Sequence, residues 1–166
     1  MTIDELIKIL EMQEQILQFS HFNNADAWEL GNIIVVEAKK REIPIAISIQ
    51  LNNGYIVFQY GMDGTTLLSQ DLLRKKHNTV KTTEKSSLHV GMFLRKEELA
   101  LKDWCLDESD HTTSGGGFPI RVEEVGVIGT ITISGIEHIV DHDILIKCIS
   151  RYLHIDEVPR IRATFF

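Results

Sequence analysis

Apolar residues recur along this chain with two periods, and the changes of period mark its elements. From position 2 to about 17, Ile3, Leu6, Ile7, Leu10 and Leu17 fall near one face at helical spacing, with Glu5, Lys8, Glu11 and Gln15 elsewhere. This predicts an amphipathic helix. Positions 18–22 read as a short extended segment. Asn23 or Asn24 can then cap a second helix running to about Glu42, with Ala27, Leu30, Gly31, Ile34 and Ala38 along one side, and Pro44 ends it. The period then drops to two: Ile45, Ile47, Ile49 and Leu51 alternate with Ala46, Ser48 and Gln50, the pattern of a strand. Asn52-Asn53-Gly54 tolerates positive φ and predicts a hairpin. The return strand at 55–60 is bulky on both faces, which predicts a sheet covered on both sides, at least in part.

A turn at 61–64 leads into a third helix. Leu67, Leu68, Leu72 and Leu73 lie at its start, the basic run Arg74-Lys75-Lys76-His77 in its middle, and its end near Thr83. One or two shorter helices are predicted in 85–92 and 96–104, followed by an acidic, small-residue loop over 106–117. A short strand at 118–122, a turn at Glu123-Glu124 and a long strand at 126–134 form a second hairpin before a closing helix at 137–153. This order fits an α+β domain, an antiparallel sheet with helices on both faces. It lacks the regular alternation of a doubly wound parallel sheet. A single domain over 1–166 is expected, with its core at about 3–155 and the short tail that ends in Phe165-Phe166 unassigned.

Composition supports that reading: 43% hydrophobic and 25% charged residues suit one soluble globular domain. A net charge of -7 argues against nucleic acid as a partner. The two cysteines, Cys105 and Cys148, show no C-x-x-C spacing, which points to a reducing compartment. The first residues are acidic where a secretory signal would be basic, and no apolar run approaches the ~18 residues of a membrane span. The expectation is a cytoplasmic protein without a membrane partner.

Several clusters carry candidate chemistry. Gly115-Gly116-Gly117 either lets a ligand lie against bare backbone or simply fits the loop around Phe118-Pro119; neither a P-loop nor a G-x-G-x-x-G pattern can be completed from it. His138 and His142 stand one helical turn apart, a spacing for a metal ion or a haem face, but Ile139 stands where a zincin needs glutamate. Asp141, close to the same helix start, reads first as a cap. The run from Arg74 to His77 reads as a solvated face or subunit contact, with an anion site as the alternative. The Asp107-to-His111 stretch lacks the EF-hand glycine. No G-x-S-x-G is present, and Cys148 and Cys105 read as packing residues.

Taken together, Lys75-Lys76-His77-Asn78 with Ser86-Ser87, then Gly115-Gly116-Gly117-Phe118-Pro119-Ile120, then Gly129-Thr130-Ile131-Thr132-Ile133-Ser134-Gly135 and Asp141-His142, resemble the GlcG/HbpS-like superfamily. This is also called the haem-degrading domain family. The resemblance spans about residues 3–153 and is closest to a bacterial and fungal branch to which it attaches no activity. It implies a profilin-like three-layer α/β/α sandwich with a central, mainly antiparallel sheet of about five strands, assembled as a homo-oligomer. It also implies a small-molecule or haem ligand. The implied pocket is bordered by Lys76, Asn78 and Ser86, by Gly115, Gly116, Gly117 and Phe118, and by Asp141 and His142, with His111 joining from the acidic loop. No catalytic set transfers. Three readings follow: a haem- or cofactor-binding module, an enzyme on a small anionic substrate with His111 or His142 as acid/base, and an oligomeric adaptor without catalysis.

Overall fold

Side-chain caps set where the helices begin. Thr2 and Asn23 accept hydrogen bonds from the N–H groups of Glu5 and Asp26, whose carboxylates accept the caps' own N–H groups in return. In the computed structural model, which describes residues 1–135 and 137–161, these start α1 (Ile3–Ile16) and α2 (Asn24–Lys40). The Asn52-Asn53-Gly54 turn joins β1 (Ala46–Leu51) to β2 (Ile56–Gly61), as the sequence predicts. Then come α3 (Leu67–Thr83), α4 (Ser87–Lys96), a 3-10 turn at Leu101–Trp104, β3 (Gly117–Val122), β4 (Gly126–Ser134) and α5 (His138–Leu153). The chain end at 162–166 lies outside the described residues.

The sheet has four strands in the order β2-β1-β4-β3, all antiparallel, where the sequence suggested about five. Its two faces differ in chemistry. Register places Ile47 opposite Ile133 and Ile49 opposite Ile131, and these side chains meet Leu30 and Ile34 of α2 and Leu145 and Ile149 of α5 in one apolar core. One residue out of phase, Ser48 stands opposite Thr132 and Ala46 opposite Ser134. This second face would be solvated if nothing packed on it. Instead α3 packs over β4, β3 and β1 and presents Lys76, His77 and Thr79, so the interface holds Ser48, Thr130, Thr132 and Ser134 together with three polar helix residues, all buried.

The sheet is covered on both sides in part, as the bulky β2 residues suggested, with α2 and α5 on one face and α3 on the other, and β2 is its least covered strand. Phe58 packs against Gly31 of α2, but Ile56 and Tyr60 remain 45% and 43% exposed on this outer strand. At the opposite edge Phe19 bridges to Val122, donating its N–H to Arg121 O at 2.8 Å. Among the described residues no helix is long and apolar enough to cross a membrane.

Candidate functional site

The buried polar face of the sheet ends at the glycine loop and the start of α5, where the sequence-nominated residues converge. Lys76 is 2% exposed; its Nζ donates to Ile133 O at 2.7 Å and lies 3.4 Å from Asp141 Oδ2. Asp141 Oδ2 also accepts the Gly135 N–H at 2.9 Å, while Oδ1 has no partner among the described residues. Burial pushes the Lys76 pKa down and the Asp141 pKa up, each partly offset by the other's charge. The expected capping role for Asp141 falls instead to Glu137, whose carboxylate accepts the N–H groups of Ile139 and Val140. That releases Asp141, one turn further in, to face Lys76.

The three glycines are moulded around this pair. Gly116 has φ +114, and a Cβ there would stand 2.5 Å from Ile133 O and 2.8 Å from Lys76 Nζ. Gly115 donates to His138 Nδ1 at 3.1 Å, and Gly117 to Ser87 Oγ at 2.9 Å. These N–H groups meet internal acceptors rather than converging into an anion nest. Gly116→Ala is accordingly expected to cost about 2–4 kcal/mol through backbone strain and overpacking. Urea midpoints would check this, and a loss under about 1 kcal/mol would show that the loop relaxes freely.

His142, on the turn after His138, is 1% exposed and tilted against the Phe118 ring. Gln13 Nε2 donates to Pro159 O at 2.8 Å, which directs Gln13 Oε1 toward His142 Nε2, also at 2.8 Å. Nε2 therefore carries the hydrogen, and Nδ1 is left as an acceptor without a partner among the described residues. Burial depresses the His142 pKa to about 4, so the ring is neutral at pH 7. His142 also lines a cavity of about 490 Å³ together with Gln13, the apolar Ile139, Val140 and Ile161, and the charged Arg41, Glu137, Asp143 and Arg160. Arg160 grips Asp143 with two hydrogen bonds of 2.8 and 2.6 Å, and Arg41 lies 3.9 Å from the same carboxylate.

Of the residues nominated from the sequence, only His142 lines that cavity. Asn78 donates to Asp110 O and His111 contacts Asp107 O, so both fasten the acidic loop, His111 from within it. Ser86 caps α4 through His89 N–H and donates its own N–H to Glu14 at 2.6 Å. His138 and His142 engage different partners, and the described residues hold no cluster of three or more His, Cys, Asp or Glu groups placed for a metal ion. Gln13, Arg41, Asp143 and Arg160 were not nominated from the sequence. Gln13 left a readable signal, since it interrupts the inward stripe of Leu6, Leu10 and Leu17 at helical spacing; Arg41 and Arg160 left none.

Residues 22–150 match the family model described as haem degrading protein HbpS-like. The chain belongs to this HbpS-like family. A UPF0303 protein of Serratia proteamaculans (strain 568) is 39% identical over 154 residues, covering 92% of this chain and 95% of that one. The crystal structure of Ybr137w protein superposes with a TM-score of 0.82 at 25% identity, over 95% of this chain and 90% of that one. The haem complex of PduOC gives 0.67 at 23% identity over 78% and 93% of the two chains. A double mutant of Streptomyces reticuli HbpS gives 0.65 at 18% identity over 82% and 89%. These last two share the α+β fold expected from the sequence.

Proposed function

We propose that this HbpS-like protein binds a tetrapyrrole, haem in the first instance, in the cavity at the start of α5. The observation that carries the reading is the buried His142, lining a cavity of about 490 Å³ with one ring nitrogen unpartnered among the described residues. The residues there fit the group in kind. Neutral imidazole is the form that ligates haem iron, and His142 is held neutral by burial. Ile139, Val140 and Ile161 offer apolar surface to a macrocycle, and its carboxylates would reach Arg41 and Arg160 only in competition with Glu37 and Asp143, which hold those guanidinium groups. Bound haem would supply redox or oxygen chemistry; His142 would supply an imidazole nitrogen to hold it, and Ile139, Val140 and Ile161 apolar contact. Membership of the HbpS-like family and the haem complex of the structurally similar PduOC support the assignment. The enzyme reading gains less support: the Lys76 ammonium, its proposed anion holder, is buried and engaged by Ile133 and Asp141.

Titration of the purified protein with haem is expected to give a saturable Soret shift. His142→Ala should abolish or strongly weaken it, and Arg160→Ala should weaken binding by about tenfold, the scale of one charge-assisted contact. His111→Ala, on the outer loop, should leave it unchanged. A flat titration, or a shift indifferent to both His142→Ala and Arg160→Ala, removes haem from this cavity.

A further inference from the structure

His142 borders a cavity, yet neither of its ring nitrogens is open. Nδ1 lies out of reach of solvent, and Nε2 is taken up by Gln13 Oε1 at 2.8 Å. Gln13 is itself 1% exposed, and its amide is held from the other end, where Nε2 of Gln13 donates to Pro159 O at 2.8 Å. An amide engaged through both its oxygen and its nitrogen cannot turn off the ring without releasing the second partner too. That second partner belongs to the last described stretch of the chain.

This stretch is held differently from the rest of the fold. His154, at φ 55, ends α5 and turns the chain back toward the start of the same helix, where Arg160 meets Asp143. Ile155 and Val158 pack against the main core, and Ile161, like Ile139, packs against the cluster formed by α1 and α4. Yet no residue from 154 to 161 is buried. Among the described residues, positions 156–161 make no backbone-to-backbone hydrogen bond. The end of the stretch is fastened by side chains, Gln13 on Pro159 O and the Arg160 guanidinium on Asp143, and Arg160 and Ile161 line the cavity as well. A segment with few buried contacts and no backbone ladder opens at a small fraction of the free energy of global unfolding.

We propose that residues 155–161 are a lid on the His142 cavity and that Gln13 is its latch: the closed lid holds Gln13 on the imidazole, and the open lid frees the ring for a ligand. The device regulates the ligand site proposed above and rests on that reading for its purpose. Release of Pro159 O lets the Gln13 amide swing off Nε2. Water entering by the same opening carries the ring hydrogen from Nε2 to Nδ1, and the Nε2 lone pair is then free to bind. Moving residues 159–161 also takes Arg160 off Asp143, the group that otherwise competes with a ligand carboxylate.

Diethyl pyrocarbonate, which acylates the unprotonated nitrogen of a neutral imidazole, reads the latch without any haem. By peptide mass mapping at pH 7, His142 of the wild type is expected to react far more slowly than His21, whose side chain is 73% exposed. Gln13→Leu continues the apolar stripe of Leu6, Leu10 and Leu17 and removes the latch; a chain ended after Val158 removes the end of the lid. Each should raise the His142 rate by about tenfold, the scale of one hydrogen bond, with His21 unchanged and thermal unfolding still cooperative. On rapid mixing with excess haem, the rate of the wild-type Soret change should level off at the opening rate of the lid, and that ceiling should rise in Gln13→Leu. Faster acylation in the variants with no Soret change in any of the proteins sustains the lid and removes haem as its ligand. Equal His142 acylation rates in the wild type and both variants overturn the lid, whether or not haem binds.

Discussion

Acidification from pH 7 to 4 is expected to destabilise the fold by about 3 kcal/mol for each of two buried histidines, His77 and His142. Both are depressed to about 4, His142 by burial and His77 by burial and then by Lys81. In the unfolded chain each titrates near the ordinary 6.5. Between those two values the unfolded state binds protons that the folded state refuses, so stability rises with pH across the window. The contribution is complete above pH ~6.5 and is lost as the pH falls toward 4. Glu37 adds a second, lower window. Lys147, with Arg41, holds its pKa at about 2, below the ordinary 4.5, so its stabilisation is present above about 4.5 and lost as the pH falls through about 2. Urea midpoints at pH 7, 5.5 and 4.5 test the first window, and His77→Gln or His142→Gln should each remove about half of the slope. Midpoints independent of pH over this range would show that neither histidine is held neutral.

Lys76→Met is expected to cost about 3–5 kcal/mol, the usual consequence of leaving a buried charge without its partner. Asp141 is the group left behind, with Oδ1 already unpartnered and only the Gly135 N–H on Oδ2. Adding Asp141→Asn removes the orphaned charge and keeps an oxygen for Gly135. The double variant should therefore recover about half of the loss or more, since a buried ion pair compared with a neutral replacement is close to break-even. Denaturation of the two single variants and the double variant gives the coupling directly. Additive losses would mean that Lys76 and Asp141 act independently, with the 2.7 Å bond to Ile133 O carrying the role of Lys76. The pair joins α3, β4 and α5, so its strength also sets how firmly the glycine loop is seated.

Much of the architecture was legible because it follows from local pattern. The isoleucine alternation of β1 specified which face is apolar, and Asn52-Asn53-Gly54 fixed the hairpin. Asn23 and Pro44 bracketed α2, whose final turn ends at Lys40. For β2 the same rules indicated the double cover of the sheet but not that this strand lies at its edge. Its bulky residues on both faces resemble a buried strand, but composition does not distinguish a buried strand from an apolar edge. Asp141 was misread for a related reason: at a helix start the cap and first-turn positions attract the same residue types, and only the local backbone decided for Glu137.

By itself the sequence determined the α+β class, the strand and helix order, the apolar face of the sheet and the family, since each depends on periodicity or on residues adjacent in the chain. Tertiary structure decided what lies on the other face. Ser48, Thr130 and Thr132 look like a solvated strand surface until α3 is laid over them, and Lys76 looks like part of an exposed basic run until its Nζ reaches Ile133 and Asp141. Tertiary structure also made the cavity, drawing Gln13, Arg41, His142 and Arg160 together from four distant points. Helical and strand periods are properties of neighbouring residues, whereas a pocket and a buried ion pair are properties of closure, fixed only when distant segments exclude water from the same place.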